Sequence, residues 1–154
     1  MKLLIVSATE KEIFPLLTTI SIKNYVGDHL RVCKHKNLDI DVLVTGIGMT
    51  ATAFWLGKIL SDKYDWCLNL GLAGSFNKNL EIGNVVNITQ DHFAELGAED
   101  GEKNLSLKEI GLEGVIQIVN ESKISNKALE GIPIVCGITV NRSEERRVGK
   151  ECRL

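Results

Sequence analysis

Residues 2–12, KLLIVSATEKE, decide the fold of this chain. The stretch from Lys2 to Ala8 is an apolar run of strand length. The residues after it place apolar side chains at helical spacing, at Ile13, Leu16, Leu17 and Ile20. Thr9 is the predicted N-cap of that helix, and Glu12, three residues later, completes a T-x-x-E capping box. A strand that passes directly into a capped helix is the start of an α/β unit.

The same alternation continues along the chain. Further strands are predicted at 29–36, 38–45, 66–70, 84–89 and 134–140, and a second helix is predicted at 49–60. The strand at 66–70 is apolar enough to be buried. Residues 93–101, FAELGAEDG, are acidic and rich in Gly and indicate a loop or an irregular edge, and 105–110 indicate a short helix. Alternation with Gly at the strand ends predicts a three-layer α/β/α domain with a parallel or mixed central sheet.

Length and composition exclude several classes of protein. The chain has 154 residues and a net charge of −2, with 18 basic against 20 acidic residues. This balance gives no electrostatic footprint for nucleic acid or an anionic membrane. The longest apolar runs are far shorter than the roughly 20 residues that cross a bilayer, and no signal-peptide pattern follows Met1. We therefore expect a cytoplasmic protein of one domain.

The charge changes abruptly near the end of the chain. Residues 1–141 carry 12 Lys and one Arg against 17 Asp and Glu, whereas 142–154, RSEERRVGKECRL, carry four Arg, one Lys and three Glu. Such a segment is usually a solvated tail. Residues 142–152 also resemble the conceptual translation of a sequencing-adapter oligonucleotide. We expect 1–141 to be the genuine part of a truncated gene product and 142–154 to be a non-native tail.

Three predicted strands run into small or polar residues, at 7–9 (SAT), 45–48 (TGIG) and 71–74 (GLAG). Ligands of α/β sheets bind at the carboxyl ends of strands, where Gly admits them close to the backbone. The three loops therefore predict one cleft. The spacing Gly46-x-Gly48-x-x-Ala51 also fits a dinucleotide-binding fingerprint. However, the acid that would support that interpretation is missing near residues 70–72.

The spacing of His and Cys does not predict a metal site. Alternation places His29, Cys33 and His35 on one face of a predicted strand, but no fourth ligand follows, and the four cysteines form no C-x-x-C pair. His92 follows Asp91 at the end of a predicted strand. That position is more typical of a surface histidine than of a catalytic acid or base.

Several segments together resemble the purine nucleoside phosphorylase and nucleosidase superfamily. They are ATEKE (8–12), VTGIGM (44–49), NLGLAG (69–74) and IGNVV (82–86). Within that superfamily, FAELGAEDG (93–101) and GITVN (137–141) are most similar to the futalosine hydrolases, which are nucleosidases of menaquinone biosynthesis. The resemblance spans nearly all of residues 1–141. It implies a homodimer that binds a small nucleoside and needs no metal or organic cofactor.

The activity implied by this resemblance is hydrolysis of the N-ribosidic bond of futalosine, with release of hypoxanthine. Such a cleavage needs a base that deprotonates water and an acid that protonates the departing purine. Glu12 matches the water-activating glutamate of the family, although its spacing alone favours a capping-box partner on the surface. The family's ribose-binding Met-Glu pair and its acidic aspartate fall after Asn141 and have no match in 142–154. We therefore expect the domain to be incomplete at its C-terminus and this chain to be inactive.

The resemblance also implies which residues contact the substrate. They are Ala8 after the first strand, Ile47 and Gly48 along the 5′ side of the nucleoside, and Gly71, Leu72, Ala73 and Gly74 beneath the ribose and base. For Gly46 and Gly71, a need for a tight turn explains the residue equally well. Leu72 stands where nucleosidases of the methylthioadenosine type have Ser, which favours futalosine over methylthioadenosine or S-adenosylhomocysteine.

Two alternatives stay open at this stage. Phosphorylases of the superfamily bind phosphate with several arginines, and residues 1–141 contain only Arg31, so hydrolysis is favoured over phosphorolysis. The first alternative is therefore another nucleosidase or phosphorylase of the superfamily. The second is a nucleotide-binding module without catalytic activity, in which replacing Glu12 by Gln would change nothing.

Overall fold

The computed structural model describes residues 1–101, 103–120 and 127–141, so the predicted tail at 142–154 lies outside the described residues. The chain divides into two compact units, Met1–Gly74 and Ser75–Leu154. The elements of the first unit are β1 (Lys2–Ser7), α1 (Glu10–Leu17), β2 (Ser21–Val26), β3 (Leu30–His35), β4 (Leu38–Val44), α2 (Met49–Ile59) and β5 (Trp66–Asn69). The strands described in the second unit are β6 (Asn87–Phe93), β7 (Gly97–Asp100), β8 (Lys103–Ser106), β9 (Gln117–Val119) and β10 (Ile134–Thr139).

The first unit is built on a five-stranded sheet of order β2-β3-β4-β1-β5. Strand β1 is parallel to both of its neighbours, β4 and β5, whereas β2, β3 and β4 follow one another in antiparallel pairs. The predicted mixed sheet is therefore confirmed. Because β1, β4 and β5 run in the same direction, their carboxyl ends lie at one edge of the sheet.

The two helices cover opposite faces of this sheet. Ile5 of β1 packs with Ile13 and Leu17 of α1 in one core cluster. Leu4 and Val6, the alternate residues of β1, form a second cluster against which Trp55, Leu56 and Ile59 of α2 pack. Successive side chains of β1 therefore point to opposite faces of the sheet and contribute to two separate cores. The α/β/α layering predicted from the sequence is confirmed.

Helix α1 is shorter than its apolar spacing indicated. It ends at Leu17, and the hydroxyls of Thr18 and Thr19 donate to the carbonyls of Pro15 and Leu16, both at 2.8 Å. These bonds compete with continued helix, so the buried Ile20 reaches the core from the turn that leads into β2. The prediction also missed β2, whose SIKNYV sequence is polar and mostly exposed.

The second unit contains a three-stranded sheet, β10-β6-β9, and a separate β7-β8 hairpin. Within the segment predicted as a loop or an irregular edge, Gly97–Asp100 pairs with Lys103–Ser106 in an exposed hairpin. The short helix predicted at 105–110 is wrong, because Leu105 and Ser106 belong to β8 and residues 107–110 form a turn. Gly101, in the turn that connects β7 to β8, has a positive φ of 63°, a conformation that glycine adopts readily. The strand predicted at 84–89 begins later, at Asn87, and extends to Phe93.

A strand is present where one was predicted at 66–70, but the prediction that it is buried is wrong. Strand β5 lies at the edge of the five-stranded sheet, and all four of its residues are exposed. An edge strand has a neighbour on one side only, so an apolar composition does not ensure burial. Among the described residues, no helix is long and apolar enough to cross a bilayer.

Candidate active site

The predicted loops meet at the carboxyl edge of the five-stranded sheet. Backbone hydrogen bonds join the chain where the strands end and the loops begin. They run from Thr45 N–H to Ser7 O at 2.9 Å, from Gly46 N–H to Ala8 O at 3.0 Å and from Leu70 N–H to Val6 O at 2.8 Å. Parallel pairing thus brings the candidate residues to one edge, with Ala8 after β1, Ile47 and Gly48 after β4, and Gly71, Leu72, Ala73 and Gly74 after β5. Ile47 and Leu72 present mostly exposed side chains there, at 83% and 76% of their full accessibility.

Glu12 lies in the first turn of α1, and its carboxylate bridges the end of β1 and the loop after β5. Its Oε2 accepts three hydrogen bonds, from the N–H of Thr9 at 2.7 Å, the hydroxyl of Thr9 at 2.9 Å and the hydroxyl of Ser7 at 3.3 Å. Its Oε1 accepts one, from the N–H of Leu72 at 3.3 Å. The capping-box interpretation and the family match are therefore compatible, because the bond that caps the helix also holds the carboxylate at this edge.

The hydrogen bonds around Glu12 favour its charged form. Burial alone raises the pKa of this carboxyl, but the bonds from Thr9, from the Leu72 N–H and from Ser7 outweigh burial. The pKa of Glu12 therefore lies below its ordinary value. At neutral pH the group is a carboxylate and can accept a proton.

The two oxygens of Glu12 differ in their capacity for a further ligand. Three donors surround Oε2, and a carboxylate oxygen has about two lone-pair directions. Oε1 has one long bond and keeps an acceptor site free. A water molecule that meets this carboxylate would therefore donate to Oε1, while Oε2 holds the group in place.

Gly46 and Gly71 are glycines for different reasons. Gly46 has a φ of 89°, which L side chains rarely adopt, so a tight turn explains it. Gly71 has no positive φ, but a Cβ there would lie 3.4 Å from Oε1 of Glu12. A tight turn therefore explains Gly46 but not Gly71, which lies beside the less-bonded oxygen of Glu12.

Arg31 is buried beneath the first turn of α1. Only 7% of this residue is exposed, and its Nη2 donates to Oε2 of Glu10 at 2.6 Å. The Nε and Nη1 atoms are buried and have no hydrogen-bond partner in the described structure. The single arginine of residues 1–141 therefore ties β3 to the helix that carries Glu12.

The histidines do not assemble a site with Glu12. The ring of His29 stacks on Trp55 of α2 with centroids 4.0 Å apart, whereas Cys33 lies in the core cluster against α1. The prediction of one shared face is wrong because β3 begins at Leu30. His92 is half-buried within β6 rather than in a surface loop. In the parts of the chain that the structure describes, no group of three or more His, Cys, Asp or Glu could hold a metal.

The sequence interpretation did not predict the contact of Ser7 with Glu12 or the pairing of Glu10 with Arg31. A signal for Ser7 was present, because strand alternation places residue 7 on the same face as Ile5, the face that α1 covers. The pairing of Glu10 with Arg31 joins residues 21 positions apart. No local motif predicts such a contact.

A three-layer α/β/α sheet with a carboxylate at the carboxyl edge of its parallel strands belongs to the class of α/β proteins that bind ligands at strand ends. No family model and no curated protein matches the sequence. Solved structures do match the fold. Futalosine hydrolase of Helicobacter pylori strain 26695 matches with a TM-score of 0.69 and 19% identity, over 92% of this chain and 65% of that one.

Two other matches are 5′-methylthioadenosine/S-adenosylhomocysteine nucleosidases. The Campylobacter jejuni structure has a TM-score of 0.69 and 24% identity, and the match covers 92% of this chain and 66% of that one. The Helicobacter pylori structure has values of 0.67 and 20%, with coverage of 92% and 65%. The chain therefore has the fold of these nucleosidases and spans about 65% of the length of the Helicobacter structures.

Proposed function

We propose that residues 1–141 form the N-terminal part of a single nucleosidase domain that hydrolyses the N-ribosidic bond of futalosine and releases hypoxanthine. The observation that supports this proposal is the carboxylate of Glu12, held at the carboxyl edge of the sheet with one oxygen less bonded than the other. Glu12 has the role of the general base. Ala8, Ile47, Gly48 and the loop 71–74 have the role of the substrate-binding surface.

The proposed reaction begins with a water molecule that donates a hydrogen bond to Oε1 of Glu12. As the water oxygen forms its bond to the anomeric carbon, the bond from that carbon to the purine nitrogen breaks. The water proton passes to Oε1, and the departing purine takes up a proton from a general acid. The low pKa of Glu12 keeps the carboxylate charged and available at neutral pH.

Water is favoured over phosphate as the nucleophile. Phosphate binding in a phosphorylase requires arginine donors that reach the ligand. Arg31 is buried and donates to Glu10, so its guanidinium is not available for a phosphate ion. The charge arrangement around Glu12 therefore supports hydrolysis.

The choice of futalosine rests on residue 72. Leu72 donates its backbone N–H to Glu12 and exposes an apolar side chain. A leucine there cannot supply the hydroxyl of the methylthioadenosine-type nucleosidases. Because both kinds of nucleosidase share this fold, methylthioadenosine and S-adenosylhomocysteine are the competing substrates in the experiment.

The test is base release from futalosine and methylthioadenosine, measured with and without phosphate. Two proteins are compared, the 154-residue chain and a chain in which 142–154 is replaced by the continuation encoded downstream. We expect the extended protein to release hypoxanthine at a rate that phosphate does not change, and the 154-residue chain to release none. Faster release from methylthioadenosine, or a requirement for phosphate, would contradict the proposed substrate or reaction.

Glu12→Gln in the extended protein tests the base. We expect the rate to fall about 10³-fold, the loss typical of removing a general base, with futalosine binding retained. Lys11→Gln, an exposed neighbour on the same helical turn, is the matched control and should keep the rate. Equal rates in wild type and Glu12→Gln would contradict the role of Glu12 as the base. Futalosine binding without base release by either protein would favour a nucleotide-binding module.

A further inference from the structure

Ser7 is the last residue of β1 and has a fully buried hydroxyl. Its exposure is 0%, and the Oγ atom lies 3.3 Å from Oε2 of Glu12 and 3.2 Å from the carbonyl oxygen of Thr9. Both neighbours are acceptors in these contacts. A hydroxyl has one proton to donate, so it can satisfy only one of the two neighbours at a time.

We propose that Ser7 is a positioning residue whose hydroxyl donates to Oε2 of charged Glu12 and turns to the carbonyl of Thr9 once Glu12 has taken up a proton. This inference rests on the proposed role of Glu12 as the base. Rotation about the Cβ–Oγ bond of Ser7 is the only movement required. The proton received by Glu12 comes from the attacking water and returns to solvent afterwards, so Ser7 gains and loses none.

The choice of acceptor follows from the strength of the two hydrogen bonds. A charged carboxylate is a stronger acceptor than a neutral carbonyl. When Oε1 takes up the proton, Oε2 becomes a neutral oxygen that still accepts from the N–H and the hydroxyl of Thr9. The Thr9 carbonyl then offers Ser7 an equivalent partner, and its buried hydroxyl is satisfied in both states.

The effect of the Ser7 hydroxyl on the protonation of Glu12 can be measured, because few other groups act on this carboxylate. The groups acting on Glu12 are Ser7 from β1, Thr9 from the start of α1 and the Leu72 N–H from the loop after β5. The same helical turn carries Glu10 and Lys11, and Glu10 is paired with Arg31. Burial and hydrogen bonds, rather than a neighbouring charge, therefore determine the protonation of Glu12 in the described structure.

Titration of the side-chain carboxyl carbons by ¹³C NMR tests the proposal in the 154-residue chain, without turnover. Glu12→Gln identifies the Glu12 signal. We expect Ser7→Ala to move its titration midpoint to higher pH, because a donor that favours the charged form is lost. Thr45→Val is the matched control, since Thr45 is a buried hydroxyl residue at the same edge that bonds to Ser7 O, Gly46 O and Thr52 but not to Glu12.

An unchanged midpoint in Ser7→Ala, or an equal change in Thr45→Val, would overturn the proposal. If Ser7→Ala does not fold, Ser7→Cys retains a side chain of similar size with a weaker donor, and its midpoint should also move upwards. In an active extended protein, Ser7→Ala should shift the acid limb of kcat/KM to higher pH. A shifted Glu12 midpoint in a protein that cleaves no nucleoside would support the contact and overturn only the proposed function.

Discussion

At the scale of single residues, the pair Glu10 and Arg31 shows how unequal two partners of one ion pair are. The Arg31 side chain is 8% exposed, whereas that of Glu10 is 54% exposed. Removing Glu10 takes away the acceptor that the described structure gives this buried guanidinium, while removing Arg31 leaves a carboxylate that water can solvate. The free energy of unfolding should therefore respond very differently to the two changes.

We expect Glu10→Ala to lower the free energy of unfolding by about 2 kcal/mol, since a buried charge loses its partner. Arg31→Met, which keeps much of the apolar stem, should lower it by under about 1 kcal/mol. Urea unfolding followed by circular dichroism at pH 7 measures both. Equal losses, or a larger loss in Arg31→Met, would show that the pair stabilises the fold in some other way.

Local sequence patterns predicted the contact of Thr9 with Glu12, because a capping box lies within one helical turn. They did not predict that Ser7 and the Leu72 N–H share the same carboxylate, since those contacts depend on how β1 and β5 are placed side by side. The capping contacts of Glu12 were thus predictable from the sequence. The difference between its two oxygens was not.

At the scale of elements, apolar strands were predictable and polar ones were not. The apolar pattern identified β1, β3, β4, β5 and β10 to within about two residues. Burial explains that pattern in β1, β3 and β4, whereas β5 is exposed and β10 is only partly buried. The hairpin of β7 and β8 has polar, exposed residues, and its pairing comes from backbone hydrogen bonds. Side-chain hydrophobicity carries no signal for such strands.

The loop after β5 offers a test at this scale, because Gly71 leaves space beside Glu12. Gly71→Ala should fold, since its φ is not in the left-handed region, but the new Cβ would lie 3.4 Å from Oε1. We expect the rate of futalosine hydrolysis by the extended protein to fall about tenfold, because the methyl group, in van der Waals contact with Oε1, occupies space that a water molecule bound to this oxygen needs.

Gly74→Ala is the control for that change. A Cβ at Gly74 would meet no atom within 4 Å, so it adds a methyl group to the same loop without approaching Glu12. A comparable loss of rate in both variants would indicate that flexibility of the loop matters rather than space at Oε1. Thermal unfolding of each variant separates a loss of rate from a loss of fold.

At the scale of the whole molecule, the strongest sequence signal is the change in charge after Asn141. The body of the chain carries a net charge of −4 and the final 13 residues a net charge of +2, from 12 Lys and one Arg against 17 acids and from five basic residues against three acids. The last described contact is the Asn141 N–H, which donates to Oε2 of Glu95 at 2.7 Å. Asn141 is thus still bonded to the second unit.

If 142–154 is a non-native tail, a chain that ends at Asn141 should unfold within about 2 °C of the 154-residue chain, because trimming such a tail costs little stability. A chain that ends at Pro133 is the control. It lacks β10, which pairs along its length with β6, so its melting temperature should fall clearly or its transition should be lost. Differential scanning calorimetry measures all three chains. A large loss on removing 142–154 alone would mean that these residues stabilise the folded chain and would contradict their interpretation as a non-native tail.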